Sequence, residues 1–248
     1  MIIIPAREGS LRFPGKPMAM LTARSGQSRS LIEWVWRAAT AAADPADVVV
    51  ATDSARIADA VAAFGGAAVM TSPDARNGTE RCAEAYARLG HQADLVVNLQ
   101  GDNPLVPPHY IAALVGAFAD PLVQVATPYV RCDTAMSAQL RADYARGRIG
   151  GTCVVARGDG TALYFSKAPI PHGAPLLDLH IGLYAYRPSA LAAYAALAPA
   201  ALEEQEGLEQ LRLLEAGLPV HLVKVDLPEG GLWEVNNPED VPLVEALL

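Results

Sequence analysis

Short, largely apolar stretches at 2–4, 47–51, 67–71 and 95–99 punctuate the first hundred positions and read as strands, and segments with helical spacing separate them. Consecutive β-branched residues, as in Ile2, Ile3 and Ile4 or Val48, Val49 and Val50, are the pattern of a strand buried on both faces. Between them, 30–43 places Leu31, Ile32, Trp34, Val35 and Ala38 on a helix with Ser30 as its N-cap. A helix over 55–64 stops at Gly65-Gly66, and one over 77–89 opens at Gly78-Thr79-Glu80. This alternation predicts βαβ units, hence a mainly parallel sheet with helices on both faces and ligands gathered at the carboxyl ends of the strands. The polar loops at those ends are 7–16, 52–56, 77–81 and 100–102.

Past Pro107 the pattern changes. A helix is predicted over 109–118, a strand over 123–129, and 131–151 carries little pattern. The segments 152–156 and 162–165 read as a hairpin across the turn Arg157-Gly158-Asp159-Gly160. Further elements are a strand at 180–186, helices at 189–197 and 208–216, a strand at 220–225, and a final helix capped by Asn237-Pro238-Glu239-Asp240. With no internal repeat or linker, the expectation is one domain over 1–248 carrying an inserted β-rich lobe at about 123–187.

Composition narrows the function classes. The chain has 248 residues, 52% of them apolar, and no uninterrupted apolar run long enough to span a bilayer. A strand starts the chain where a leader would need a basic segment, so a cytoplasmic protein without membrane association is expected. Cys82, Cys132 and Cys153 are too widely spaced for a zinc knuckle and read as small core residues. Trp34, Trp36 and Trp233 read as packing residues. A formal charge of -8, from 19 Lys and Arg against 27 Asp and Glu, disfavours nucleic-acid binding.

Against that acidic background, Arg7, Arg12 and Lys16 are concentrated in the loop after the first strand, with Gly9 and Gly15 letting backbone approach a ligand closely. The combination suits a polyphosphate. Lys16 is followed by Pro17, so the loop is not a Walker P-loop, and without G-x-G-x-x-G a nicotinamide oxidoreductase is disfavoured. Asp102 follows a buried strand in Gln100-Gly101-Asp102, where one carboxylate can hold Mg2+ against substrate phosphates. An aspartate after glycine is also an ordinary turn residue.

Ile3-Ile4-Pro5-Ala6-Arg7, Arg12-Phe13-Pro14-Gly15-Lys16-Pro17, Ala51-Thr52-Asp53, Gly78-Thr79-Glu80-Arg81 and Asn98-Leu99-Gln100-Gly101-Asp102 resemble, in order, the motifs of the CMP-Kdo synthetases, the 3-deoxy-manno-octulosonate cytidylyltransferases. Later matches are Ala162-Leu163-Tyr164-Phe165-Ser166, His180-Ile181-Gly182-Leu183-Tyr184 and Leu208-Glu209-Gln210-Leu211-Arg212, so the resemblance spans essentially the whole chain. It implies a Rossmann-like nucleotide-diphospho-sugar transferase fold of the α/β class and a CTP-dependent reaction in which an acceptor oxygen attacks the α-phosphorus and pyrophosphate leaves. By position it assigns the triphosphate to Arg7, Arg12 and Lys16, and Mg2+ to Asp102 with Asn236. The nucleotide falls to Pro5, Ala6, Ala51, Thr52, Asp53, Gly78, Thr79, Arg81 and Gln100. The acceptor falls to Gln100, Lys167, His180, Tyr184, Glu209 and Gln210. A homodimer through the β-rich lobe near 160–180 is implied as well.

Several positions depart from the family. Lys167 stands where an arginine is usual, exchanging a bidentate fork for a point charge. Cys153 replaces a common lysine, His172 a frequent tryptophan, and Asn236 an aspartate. The acceptor expected is a Kdo-type sugar acid, with a phosphonate such as phosphonoformate as the alternative and a non-catalytic nucleotide sensor as the alternative of another class. From the residues alone, His180 on an apolar strand reads equally as a core histidine, and Glu209 and Gln210 as part of an acidic helix face continuing from Glu203, Glu204 and Glu206. Tyr184 falls on the same face as His180.

Overall fold

The run Ile2–Ala6 forms β1, every residue of it buried, in a computed structural model that describes residues 1–9, 13–90, 93–228, 231 and 234–248. These residues divide into two units, 1–112 with 228–248, and 113–227. The lobe expected at 123–187 falls inside the second.

In the first unit β4 (Val48–Thr52) and β6 (Val96–Leu99) flank β1, and β5 (Ala67–Met70) lies outside β4, giving the order β5-β4-β1-β6 with parallel pairing throughout. Chain order runs from β1 outward through β4 to β5, then returns to β1's other side as β6. The reversal lies between β1 and β6, and the loops after those two strands flank the crevice where a parallel sheet takes its ligand. Helix α1 (Leu31–Thr40) is capped by Ser30, whose hydroxyl accepts from the Glu33 N–H, and buries Leu31, Ile32, Val35, Trp36 and Ala39. Helix α2 (Ala55–Ala63) is capped by Ser54, and α3 (Gly78–Arg88) by Asn77. Trp36 packs on Phe64 and Trp34 donates to the Leu21 carbonyl, while Trp233 lies outside the described residues. A short hairpin, β2 (Met20–Thr22) with β3 (Ser28–Ser30), was not expected. The unit closes with α9 (Val241–Glu245) after the turn over 237–240. Helix α4 (Pro108–Ala117) crosses the boundary between the units.

The second unit is mostly antiparallel, built on β7 (Val125–Arg131), with β8 (Cys153–Ala156) and β9 (Ala162–Ser166) as the expected hairpin and β12 (His221–Lys224) parallel to β7. The weakly patterned stretch contains α5 (Thr134–Ala145), capped by Asp133 and burying only Ser137 and Leu140, which leaves little apolar periodicity to read. The strand expected at 180–186 is two strands, β10 (Asp178–His180) and β11 (Leu183–Tyr186). His180 faces Tyr129 and Ala185 faces Ala126, five steps along one strand against three along β7. Pro128 sits opposite the break and has no N–H for the ladder. Its carbonyl accepts from Ile181, and the Thr127 hydroxyl lies 2.7 Å from the Leu183 carbonyl. After α6 (Pro188–Ala196), the helix expected at 208–216 begins only at Leu211 as α8 (Leu211–Glu215), preceded by α7 (Ala201–Glu206) and Gly207 in the left-handed conformation.

Candidate active site

The loops after β1 and β6 meet in an ion pair. Lys16 Nζ lies 2.7 Å from Asp102 Oδ2 and 2.9 Å from the Val235 carbonyl, while the Val235 N–H returns to the Asp102 carbonyl at 2.9 Å. Asn236 therefore follows directly on the residue bridged to Asp102, and its own N–H is held by Asp240. Gly101 is required where it stands, since a Cβ there would lie 2.6 Å from the Pro5 carbonyl oxygen. Gly78, at the start of α3, leaves room for the Gln100 amide, which donates to Asn98, itself donating to Thr79. Arg7 is exposed and has no ion-pair partner among the described residues, and Arg12 lies outside them.

The nucleotide set predicted from sequence divides in two. Pro5, Gly78 and Gln100 come together, a Cβ on Gly78 lying 2.9 Å from Gln100 Oε1 and 3.3 Å from Pro5 Cγ, and Ala6 is the buried last residue of β1. Ala51, Thr52, Thr79 and Arg81 have their side chains buried. Arg81 donates to Asp53 Oδ2 at 2.9 Å and to the Ser72 carbonyl and Thr71 hydroxyl, so its guanidinium is committed inside the protein. Sequence reasoning missed Glu8. Its carbonyl accepts from Gly15, its N–H donates to Asp53 Oδ1, and its carboxylate takes the Ser54 hydroxyl and Arg56, closing the base of the cation loop and tying it to the end of β4. A pairing of residues about 46 positions apart leaves no local signal.

The donor types expected here suit Mg2+: the Asp102 carboxylate and the amide of Asn236, which follows the residue bonded to the Asp102 carbonyl. Among the described residues no group of three His, Cys, Asp or Glu gathers as a metal cage. One carboxylate with substrate phosphates is an ordinary Mg2+ arrangement, so the donor set fits.

In the second unit His180, Tyr184 and Phe165 come together, with ring centroids 5.0 Å (Phe165 to His180) and 5.4 Å (His180 to Tyr184) apart. Burial pushes His180 down to about 3. Its Nε2 lies 2.8 Å from the Thr127 hydroxyl, which has one proton and spends it on the Leu183 carbonyl, so the imidazole donates from Nε2 and stays neutral. Below the ordinary value of 6.5 the unfolded chain binds a proton that the folded one refuses, so stability present above about pH 6.5 is lost as pH falls toward 3. His180→Gln, which keeps a donor, is expected to flatten that part of the curve of melting temperature against pH. Identical curves for variant and wild type between pH 4 and 6 would show that His180 titrates normally.

Lys167 follows β9 and has no ion-pair partner among the described residues, whereas Gln210 is 3% exposed with its Nε2 unpartnered among them. Glu209 and Gln210 thus lie in the turn between α7 and α8, not on an exposed helix face. Cys153 is buried and its thiol is pushed up by desolvation, while His172 is exposed. The three cysteines are buried free thiols.

The cytidylyltransferase family model matches residues 1–224. The 3-deoxy-manno-octulosonate cytidylyltransferase of Maricaulis maris is 48% identical over 255 residues, covering 100% of this chain and 96% of its own. That of Chlamydia abortus is 41% identical over 251 residues, covering 99% and 92%. A solved CMP:2-keto-3-deoxy-manno-octonic acid synthetase complexed with CTP superposes with a TM-score of 0.84 at 35% identity, covering 99% of this chain and 96% of its own. With that match the α/β fold is the expected Rossmann-like one. The chain belongs to the 3-deoxy-manno-octulosonate cytidylyltransferase family of nucleotidyltransferases.

Proposed function

We propose that the chain transfers CMP from CTP to a Kdo-type sugar acid: an acceptor oxygen bonds to the α-phosphorus, the bond from that phosphorus to the bridging oxygen breaks, and pyrophosphate leaves. The observation that carries the reading is the ion pair of Lys16 and Asp102, which sets a cation and a carboxylate side by side in the loops that follow β1 and β6. The family's CTP-complexed structure supports the same donor. Arg7 and Lys16 bind and neutralise the triphosphate, and Asp102 with Asn236 would hold Mg2+. When bound, that ion neutralises phosphate charge. Transfer of this kind rests on positioning and charge stabilisation, which cations fixed at a loop supply. Pro5, Ala6, Gly78 and Gln100 present the nucleotide's edge of the crevice, while Thr52, Asp53, Thr79 and Arg81 hold those walls in place.

On the acceptor side, Lys167 supplies a cation, and neutral His180, Tyr184, Glu209 and Gln210 supply hydrogen-bonding groups for an oxygen-rich anion. The Gln210 Nε2, without a partner among the described residues, supports this, since a buried donor left unmatched costs about 1–3 kcal/mol. A homodimer through 160–180 belongs to the same reading, favoured by Leu163, 53% exposed on the edge strand β9. Gel filtration near the 26.1 kDa chain mass would remove it. No helix among the described residues is long and apolar enough to cross a membrane.

Incubation with CTP and Mg2+ over a panel containing Kdo and phosphonoformate, followed by pyrophosphate release, tests the reading. Release with Kdo, lost on chelation, is expected. Release with phosphonoformate alone would replace the acceptor but keep the chemistry. CTP raising the melting temperature with no pyrophosphate from any acceptor would make the protein a nucleotide sensor.

A further inference from the structure

Lys167 is held by a clamp that the reaction itself does not use. Glu206, the last residue of α7, accepts the Ser166 hydroxyl at 2.6 Å on Oε1 and the Lys167 N–H at 3.0 Å on Oε2, and it also hydrogen-bonds Tyr164. The Ser166 hydroxyl in turn receives the Ala168 N–H at 3.0 Å. One carboxylate thus fixes the backbone from which the Lys167 side chain departs. The next residue, Gly207, has φ 61, and a Cβ on it would lie 2.7 Å from Lys167 Nζ, so the ammonium rests against Gly207 where any side chain would push it aside. The clamp is anchored behind α7, where Glu203 takes both arms of the Arg212 fork at 2.6 Å, and Arg212 is 2% exposed over the Tyr194 ring.

We propose that Glu206 and Gly207 are the positioning residues that seat Lys167 for the acceptor's anionic group, and so set the chain's acceptor preference. The inference rests on the reading that Lys167 meets the acceptor. The sign of the effect separates positioning from plain charge. A carboxylate near an anion site repels the anion, so neutralising Glu206 would tighten acceptor binding if charge were its only contribution. If Glu206 positions Lys167, the same change weakens binding, because a glutamine cannot accept from both Ser166 and Lys167 in the same way.

The test is steady-state kinetics with Kdo and CTP varied in turn. Lys167→Ala is expected to raise the KM for Kdo about tenfold, the size of one lost charge-assisted contact, with the KM for CTP within about twofold of wild type. Glu206→Gln, and separately Gly207→Asn, are expected to raise the KM for Kdo by roughly three- to tenfold with the same insensitivity to CTP. Asparagine tolerates the left-handed backbone of Gly207, so this variant fills the space over which the ammonium lies without unfolding the turn. In a Lys167→Ala background Glu206→Gln should add nothing further, since it acts through Lys167. An unchanged or lower KM for Kdo in Glu206→Gln, or an equal rise in the Lys167→Ala background, overturns the positioning role. If Lys167→Ala itself leaves the KM for Kdo unchanged, the clamp proposal falls together with the assignment of Lys167 to the acceptor. A rise with Lys167→Ala but not with Glu206→Gln or Gly207→Asn leaves that assignment standing and removes only the clamp.

Discussion

Asp102→Asn lowers kcat/KM for CTP at least about a thousandfold, the loss expected when roughly 4 kcal/mol of transition-state stabilisation disappears. The change replaces one carboxylate oxygen by an amide. It removes the negative charge that would anchor Mg2+ while keeping the shape of the loop after β6 and the backbone bond to Val235. The fold should hardly notice. Lys16 and Asp102 have side chains 14% and 23% exposed, so the pair is partly screened and its loss costs about 1 kcal/mol. Lys16 also keeps the Val235 carbonyl at 2.9 Å. A shift in melting temperature of only about 2–4 °C should therefore accompany the kinetic loss. Binding of Mn2+ in the presence of CTP, followed by its paramagnetic effect on water relaxation, should weaken in parallel. A variant keeping a tenth or more of wild-type kcat/KM would move the metal away from Asp102 and take the proposed site with it.

The first half of the chain was readable because parallel strands covered on both faces announce themselves as β-branched runs, three residues long in β1 and β4, while β6 is a mostly apolar stretch interrupted by Asn98. Caps added detail: Ser30 and Asn77 begin their helices as their residue types suggest, and Gly65 follows the end of α2. What could not be read depends on partners remote in sequence. The break between β10 and β11 comes from Pro128 and Thr127 on another strand, so 180–186 looks continuous when taken alone. Helix α5 buries too little apolar surface to impose a period. The same distinction holds in the site. Cations crowded into one loop of an acidic chain were conspicuous, but Glu8 as the tie between that loop and β4, and Glu206 beneath Lys167, exist only as pairings in space. Arg81 is a further case: its motif marks it for the nucleotide, and only the structure shows its bonds to Asp53, Thr71 and Ser72 in the interior.

Arg81→Ala is accordingly expected to act on stability before it acts on binding. The guanidinium side chain is 3% exposed and Asp53 is 16% exposed, so truncation leaves a carboxylate in a poorly solvated position, along with an unmatched Thr71 hydroxyl and Ser72 carbonyl. Breaking a buried pair by removing one partner costs about 3–5 kcal/mol, because the remaining charge has lost its compensation. For a chain of this size that corresponds to a fall of roughly 6–20 °C in melting temperature. Arg81→Lys keeps the charge but cannot span Asp53, Thr71 and Ser72 from one ammonium, so it should fall between wild type and alanine. Binding suffers as a consequence: Asp53 Oδ1 holds the Glu8 N–H, and a carboxylate freed from Arg81 turns toward water and releases the cation loop, raising the KM for CTP. Thermal melting and CTP kinetics on the same preparations decide the order of effects. If Arg81→Ala melts within about 2 °C of wild type while its KM for CTP rises tenfold, a shift too small for a lost buried pair, Arg81 is a nucleotide contact and the interior pillar described here is wrong.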